Sequence, residues 1–236
     1  MSSVLNKLLE ISAKFRMRRL QRFCSTMELT GAESLLDVGG GGDWSWNKIS
    51  FSKPITVINV QPGRDIPGRI SCVKGDACAM SMFEAGVFDL AFSNSVIEHV
   101  GNFERQQQMA NEIRRVASRY WVQTPYRHFP IEVHMMFPFF QYLPIKMRAW
   151  LGVRWPFSFE MMRNGNPLRD ATEIWLLDIR KMKCLFPEAE ILTERFMGIP
   201  KSIIAVYRGR NPAANKHSAN RAKVDKTLVA CLPSPQ

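Results

Sequence analysis

Two hydrophobic rhythms share this chain. Short apolar runs occur at Ser34–Val38 (SLLDV), Ile55–Val60 (ITVINV), Ile70–Lys74, Phe88–Ser93 (FDLAFS) and Tyr120–Thr124 (YWVQT). Each has strand length and is bounded by glycine, proline or small polar residues, so each predicts a buried β-strand. Between the fourth and fifth, Met109, Ile113, Val116 and Ala117 recur at helical spacing, with Asn102 placed as an N-cap. Val4, Leu8, Ile11 and Phe15 mark one face of an N-terminal helix. Asp170 and Glu173 have capping-box spacing ahead of a helix bearing Ile174, Leu177 and Met182. Two further strands are predicted near 189–194 and 202–207.

Strands alternating with helices predict an α/β fold with a doubly wound parallel sheet. Such sheets bind ligands beyond the carboxyl ends of their strands, where the strand order reverses. Residues 126–159 break the pattern. They hold ten of the chain's 25 aromatic residues, together with several prolines. That predicts an aromatic-rich cap inserted after the fifth strand, over about 126–169. The division expected is a basic amphipathic helix at 1–29, a main domain at 30–208 and a disordered basic tail at 209–236.

Charge narrows the partners. The formal net charge is +11, but residues 1–23 and 208–236 each carry +5, leaving a nearly neutral body. A neutral body offers no broad surface for tracking phosphates, so a nucleic-acid partner is not expected. The start lacks the apolar run of a secretory leader, and no stretch of about 18 residues is free of charge, so a cytoplasmic protein is expected. The five cysteines show no metal spacing and predict reduced thiols. Basic residues interleaved with Trp150 and Trp155 suit a membrane–water interface, giving weak peripheral membrane contact as a further expectation.

The strand ends carry the chemistry. After the first comes Asp37-Val-Gly39-Gly40-Gly41-Gly42-Asp43-Trp44; after the third, Gly75-Asp76-Ala77; after the fourth, Asn94 and then Val96-Ile97-Glu98-His99-Val100. A dinucleotide fingerprint beginning at Gly39 needs glycine at position 44, and Trp44 stands there, which disfavours a nicotinamide cofactor. An acid followed by GxG, with these later motifs in order, resembles the class I S-adenosylmethionine-dependent methyltransferases, in particular their small-molecule branch. The resemblance covers about 30–122 and 170–208. It implies a Rossmann-like fold whose mostly parallel sheet carries a C-terminal antiparallel hairpin strand, S-adenosyl-L-methionine as cofactor and methyl transfer to a small molecule; the aromatic-rich cap extends the expected acceptor to a small or lipid-like one. It also implies that Gly39, Gly40 and Gly41 pass beneath the methionine portion, with Asp37 near its ammonium. Asp76 and the Ala77 backbone would take the adenine, and Asn94 the floor of the transfer site. The family's ribose-binding acid is replaced by Asn59, which would meet the ribose as an amide. That replacement keeps open an alternative, a non-catalytic Rossmann-type module that binds a ligand or partner.

Methyl transfer from a sulfonium needs alignment above all, and a base when the acceptor carries an acidic proton. His99 follows the fourth strand; His128, Glu132 and His134 follow the fifth and are placed to fold over the site. These four are the candidate catalytic residues, with Glu98 beside them. HxxxExH is not a familiar ligand spacing, so no metal is expected from the His128–His134 loop.

Overall fold

The computed structural model describes residues 17–41, 46, 49, 51–155 and 166–209. The predicted face from Val4 to Phe15, Asp43, Trp44 and the basic tail from 210 onward lie outside these residues. The remaining predicted strands are all present. They are β1 (Leu35–Val38), β2 (Ile55–Asn59), β3 (Ile70–Lys74), β4 (Phe88–Asn94), β5 (Ala117–Pro125), β8 (Glu190–Phe196) and β9 (Ile199–Tyr207). They form one seven-stranded sheet in the order β3-β2-β1-β4-β5-β9-β8. The first five run parallel, and β9 enters antiparallel between β5 and β8. This is the Rossmann-like doubly wound arrangement, and its order reverses between β1 and β4.

Side chains of the central strands alternate between two cores. Leu36, Val38, Ile58 and Ala91 face a layer with Met109, Ile113, Val116, Met182 and Leu185 from helices α2 (Phe103–Val116) and α5 (Ile179–Leu185). Leu35, Val57, Leu90 and Phe92 face the other, with Leu20, Phe23 and Met27 from helix α1 (17–26). Asn102 caps α2, its side chain accepting from the Arg105 amide at 3.1 Å. The helix ends one residue before the periodicity suggested, because Ala117 is extended and opens β5.

Two further features depart from the sequence pattern. No helix is described between β1 and β2, β2 and β3, or β3 and β4. On the α1 side, Trp46 packs over the sheet, meeting Phe23 and Phe92 edge-on at 6.2 and 5.0 Å. The segment predicted as one helix after Asp170 is two. Asn166 caps helix α4 (Pro167–Thr172), with Pro167 in its first turn, and Asp178 caps α5 by accepting from the Lys181 amide. Leu177 lies between them, bridging to Tyr126. A second strong N-cap at Asp178 restarts the helix, so Asp170 lies inside α4 and Glu173 at its end.

The cap after β5 has its own small core. A short hairpin, β6 (Ile131–Glu132) with β7 (Phe137–Pro138), and helix α3 (Ile145–Gly152) gather around Met135, Phe140 and Ala171. Cys24, Cys72 and Cys78 are free thiols, while Cys184 is disulfide-bonded, unlike the reduced state expected of all five cysteines.

Candidate functional site

The carboxyl ends of β1, β2, β3 and β4 converge where the strand order reverses, and the loops there are tightly built. Gly39 has φ +80 and donates its amide to the Ile58 carbonyl at 2.7 Å. A Cβ on Gly39 would stand 2.5 Å from Val96, and one on Gly40 would stand 2.0 Å from the Asp37 carboxylate. Only glycine meets both demands, conformation and clearance. Opposite, a Cβ on Gly63 would approach the Gly41 carbonyl to 2.7 Å.

Asp37 lies beneath this loop rather than at its surface. It is buried on the α1 side of the sheet and accepts the Trp46 indole N–H at 2.8 Å. Burial pushes its carboxyl up to about 6, with the Trp46 hydrogen bond working in the opposite direction. Asn59 closes the loop from the β2 side. Its amide nitrogen donates to the Gly39 and Gly40 carbonyls at 3.1 and 3.0 Å, and its oxygen accepts from the Gln61 amide. The residue standing where an acid was expected thus holds the glycine loop through bonds that a carboxylate cannot donate.

Past β3, one Asp76 oxygen accepts from the Cys78 amide and the other from Arg105 at 2.6 Å. Burial would raise this carboxyl, but the Arg105 and Cys78 hydrogen bonds outweigh it and hold it below its ordinary value. Ala77 follows, half-buried against the α2-side core. At the end of β4, the Asn94 side-chain oxygen accepts from Arg19 at 2.6 Å. The same guanidinium reaches Gln123 and forms an ion pair with Glu194. Arg19 is 7% exposed. In the sequence Arg19 is one of the basic residues of the +5 segment at 1–23. The available signal was its position four residues after Phe15, in line with the apolar stripe.

The cap brings some candidate bases together and leaves one aside. His99 ends a 3-10 turn, Ile97–His99, which follows β4, and its ring meets His134 edge-on at 5.0 Å. His134 lies 2.7 Å from Glu132 through Nδ1, and the other Glu132 oxygen accepts the Met135 amide. His128 turns outward instead and pairs with the Tyr142 hydroxyl at 2.6 Å. Although 34% of the His99 side chain is exposed, burial of the remainder, with His134 and Arg169 nearby, lowers its pKa to about 3. The imidazole is neutral at pH 7. Glu98, the neighbouring residue, is fully buried, and burial raises its carboxyl despite a hydrogen bond from Thr124 at 2.9 Å. One atom each of Glu98, His99 and His134 suited to metal ligation lie within 4.8 Å of one another.

Residues 36–119 match the family model described as a methyltransferase domain. No curated protein matches the chain. Among solved structures, the PH0226 protein of Pyrococcus horikoshii OT3 is 14% identical with a TM-score of 0.50, over 83% of this chain and 91% of its own. A SAM-dependent methyltransferase from Archaeoglobus fulgidus is 12% identical at 0.50, over 83% and 94%. Magnesium protoporphyrin IX methyltransferase from Synechocystis PCC 6803, solved with bound SAH, is 10% identical at 0.50, over 86% of each chain. These three share the fold. The strand order, the acid-GxG loop at the reversal point and the family model agree: residues 36–119 belong to a methyltransferase domain built on a Rossmann-like sheet.

Proposed function

We propose that the methyl acceptor is a small, largely apolar or lipid-like molecule, received beneath the 126–169 cap. The observation that carries this is the cap's surface. Phe139, Tyr142, Ile145, Met147, Trp150 and Val153 are all exposed, and Arg154 stacks on the Trp150 ring at 5.0 Å. So many large apolar side chains on one insertion exceed what a solvated loop exposes by chance. Cations beside tryptophan suit the boundary between lipid and water. No helix among the described residues is long and apolar enough to cross a membrane. Contact with a membrane would therefore be peripheral, made by the cap and assisted by the basic residues of the N-terminal region.

In this reading the cofactor lies over the glycine loop. Gly39, Gly40 and Gly41 give it room, Asn59 holds the loop in shape, and Asp37 supports it from beneath through Trp46. Asp76 and Ala77 border the adenine, and Asn94, fixed by Arg19, forms the floor of the transfer site. The acceptor approaches from the side of Glu98, His99, Glu132 and His134. The low pKa of His99 leaves its ring in the proton-accepting form at pH 7. His128, held by Tyr142 on the outside of the cap, takes no part. Incubating the full chain with methyl-labelled S-adenosylmethionine and a cell extract tests the reading. The label is expected in the organic phase after partition, increased by anionic vesicles and reduced by salt. Label confined to polar aqueous products would overturn it.

A further inference from the structure

From the side chains that meet between β4 and the cap, we infer that Glu98, His99 and His134 bind a divalent first-row transition-metal ion. This inference uses the methyltransferase reading only to say what the ion would do; the site itself stands on geometry. Two of the ligands sit on the turn following β4, and the third comes from the cap hairpin. Because the three ligating atoms lie within 4.8 Å of one another, some point lies no more than about 2.8 Å from all of them. Bonds from zinc to imidazole nitrogen or carboxylate oxygen are about 2.0–2.2 Å. The three side chains therefore need to close by less than an ångström each, within reach of small rotations about their own torsions.

The surroundings fit ligands better than an ordinary polar cluster. Glu98 Oε2 accepts from Thr124, but Glu98 Oε1 is fully buried without a hydrogen-bond partner, and His99 Nε2 stands 4.0 Å away. A buried carboxylate oxygen left in that condition is costly unless something positive meets it. His134 is oriented as a ligating histidine usually is. Its Nδ1 faces the buried Glu132 carboxylate, which is fixed in turn by the Met135 amide. With Nδ1–H donating to Glu132, the lone pair is on Nε2. Two imidazoles and one carboxylate, with no thiolate, suit zinc, iron or manganese rather than calcium, and three protein ligands leave coordination positions for other oxygens. The ion would clamp the cap to the sheet edge and hold an oxygen of the acceptor beside the methyl donor.

Sequence spacing could not reveal this set. The HxxxExH run suggests His128, Glu132 and His134 as ligands. The fold turns His128 away, makes Glu132 the support of His134, and brings Glu98 and His99 from a strand end 35 residues earlier than His134.

The full chain, stripped with chelator, is titrated with zinc by calorimetry and with cobalt by visible absorption. One equivalent of each should bind, with d–d bands for cobalt that zinc displaces. Glu98→Gln and His134→Gln should each weaken binding at least 100-fold, and Glu132→Gln by about 10- to 100-fold. His128→Ala should leave it unchanged. Because Glu98 is buried, His99→Gln at the partly exposed ring is the second variant. It should keep the wild-type thermal midpoint and its affinity for S-adenosylhomocysteine while losing the metal. No stoichiometric binding to the wild type, or undiminished binding to folded His99→Gln, would overturn the inference. Affinity for S-adenosylhomocysteine, measured on the same metal-free sample, reports separately on the methyltransferase reading.

Discussion

Replacing Asn59 by aspartate tests the glycine loop most directly, because two lines of reasoning predict opposite outcomes. From the family pattern, Asn59→Asp restores an acid beside the ribose and should hold or improve cofactor affinity. From the geometry, it removes two N–H donors aimed at the Gly39 and Gly40 carbonyls and sets a negative oxygen against them. Two neutral hydrogen bonds contribute about 1 kcal/mol each. Repulsion between carboxylate and carbonyl adds to that, moderated because Asn59 is only half-buried. A loss of about 2–3 kcal/mol corresponds to about 30- to 150-fold weaker binding. Calorimetric titration with S-adenosylhomocysteine should therefore rank wild type tightest, Asn59→Ala next and Asn59→Asp weakest. The alanine variant isolates the lost donors from the added charge. Aspartate binding as tightly as wild type would show that the loop does not depend on the Asn59 tether, and the geometric reasoning would fail.

Other outcomes follow from the same contacts. Gly40→Ala places a methyl group 2.0 Å from the Asp37 carboxylate and should abolish S-adenosylhomocysteine binding while lowering the thermal midpoint. Asp37 has a folded-state pKa of about 6 against an ordinary 3.8. The folded chain therefore binds the extra proton between those values, and this contribution to stability is full below pH 4 and lost as pH rises through 6. Its size is about 3 kcal/mol, so urea midpoints measured from pH 4 to 7 should fall less steeply in Asp37→Asn than in wild type. Arg19→Met leaves Glu194 and Asn94 without their donor and should cost about 3–5 kcal/mol in chemical denaturation. Trp150→Ser, at an exposed cap position, should change stability by less than about 0.5 kcal/mol while reducing co-sedimentation with anionic vesicles.

The sheet was legible in the sequence because its strands are nearly continuous apolar runs, as strands covered on both faces must be. The glycine loop and the Asn102 cap were legible because each requires a residue type that few others replace. Other features depend on partners distant in the chain. Trp46 packs on the sheet through Phe23 and Phe92, contacts that no local periodicity reports. Asp170 and Glu173 have the spacing of a capping box, but the competing cap at Asp178 divides the segment. Asn59 reads in the sequence as an amide that meets the ribose, because the carbonyls it binds lie some 20 residues away. Gln123 was the more readable clue, a polar residue in the buried run YWVQT, and it meets Arg19 across 104 residues.

The Arg19 contacts also bear on when the proposed transfer site can form. Arg19 belongs to the first described helix and Glu194 to the penultimate strand, 175 positions later. Asn94 and Gln123 receive the guanidinium's other hydrogen bonds. A chain emerging in order of synthesis would complete β1 to β5 with Arg19 still lacking its countercharge. Docking the β8–β9 hairpin is then the step that fixes the N-terminal helix against the sheet and sets the Asn94 side chain. Closing so long a loop carries a large entropic barrier, so this docking should come late in folding. The proposed methyl-transfer floor would become rigid only with the last strands, and a nascent chain ending near residue 189 would contain the glycine loop without the proposed place for the acceptor.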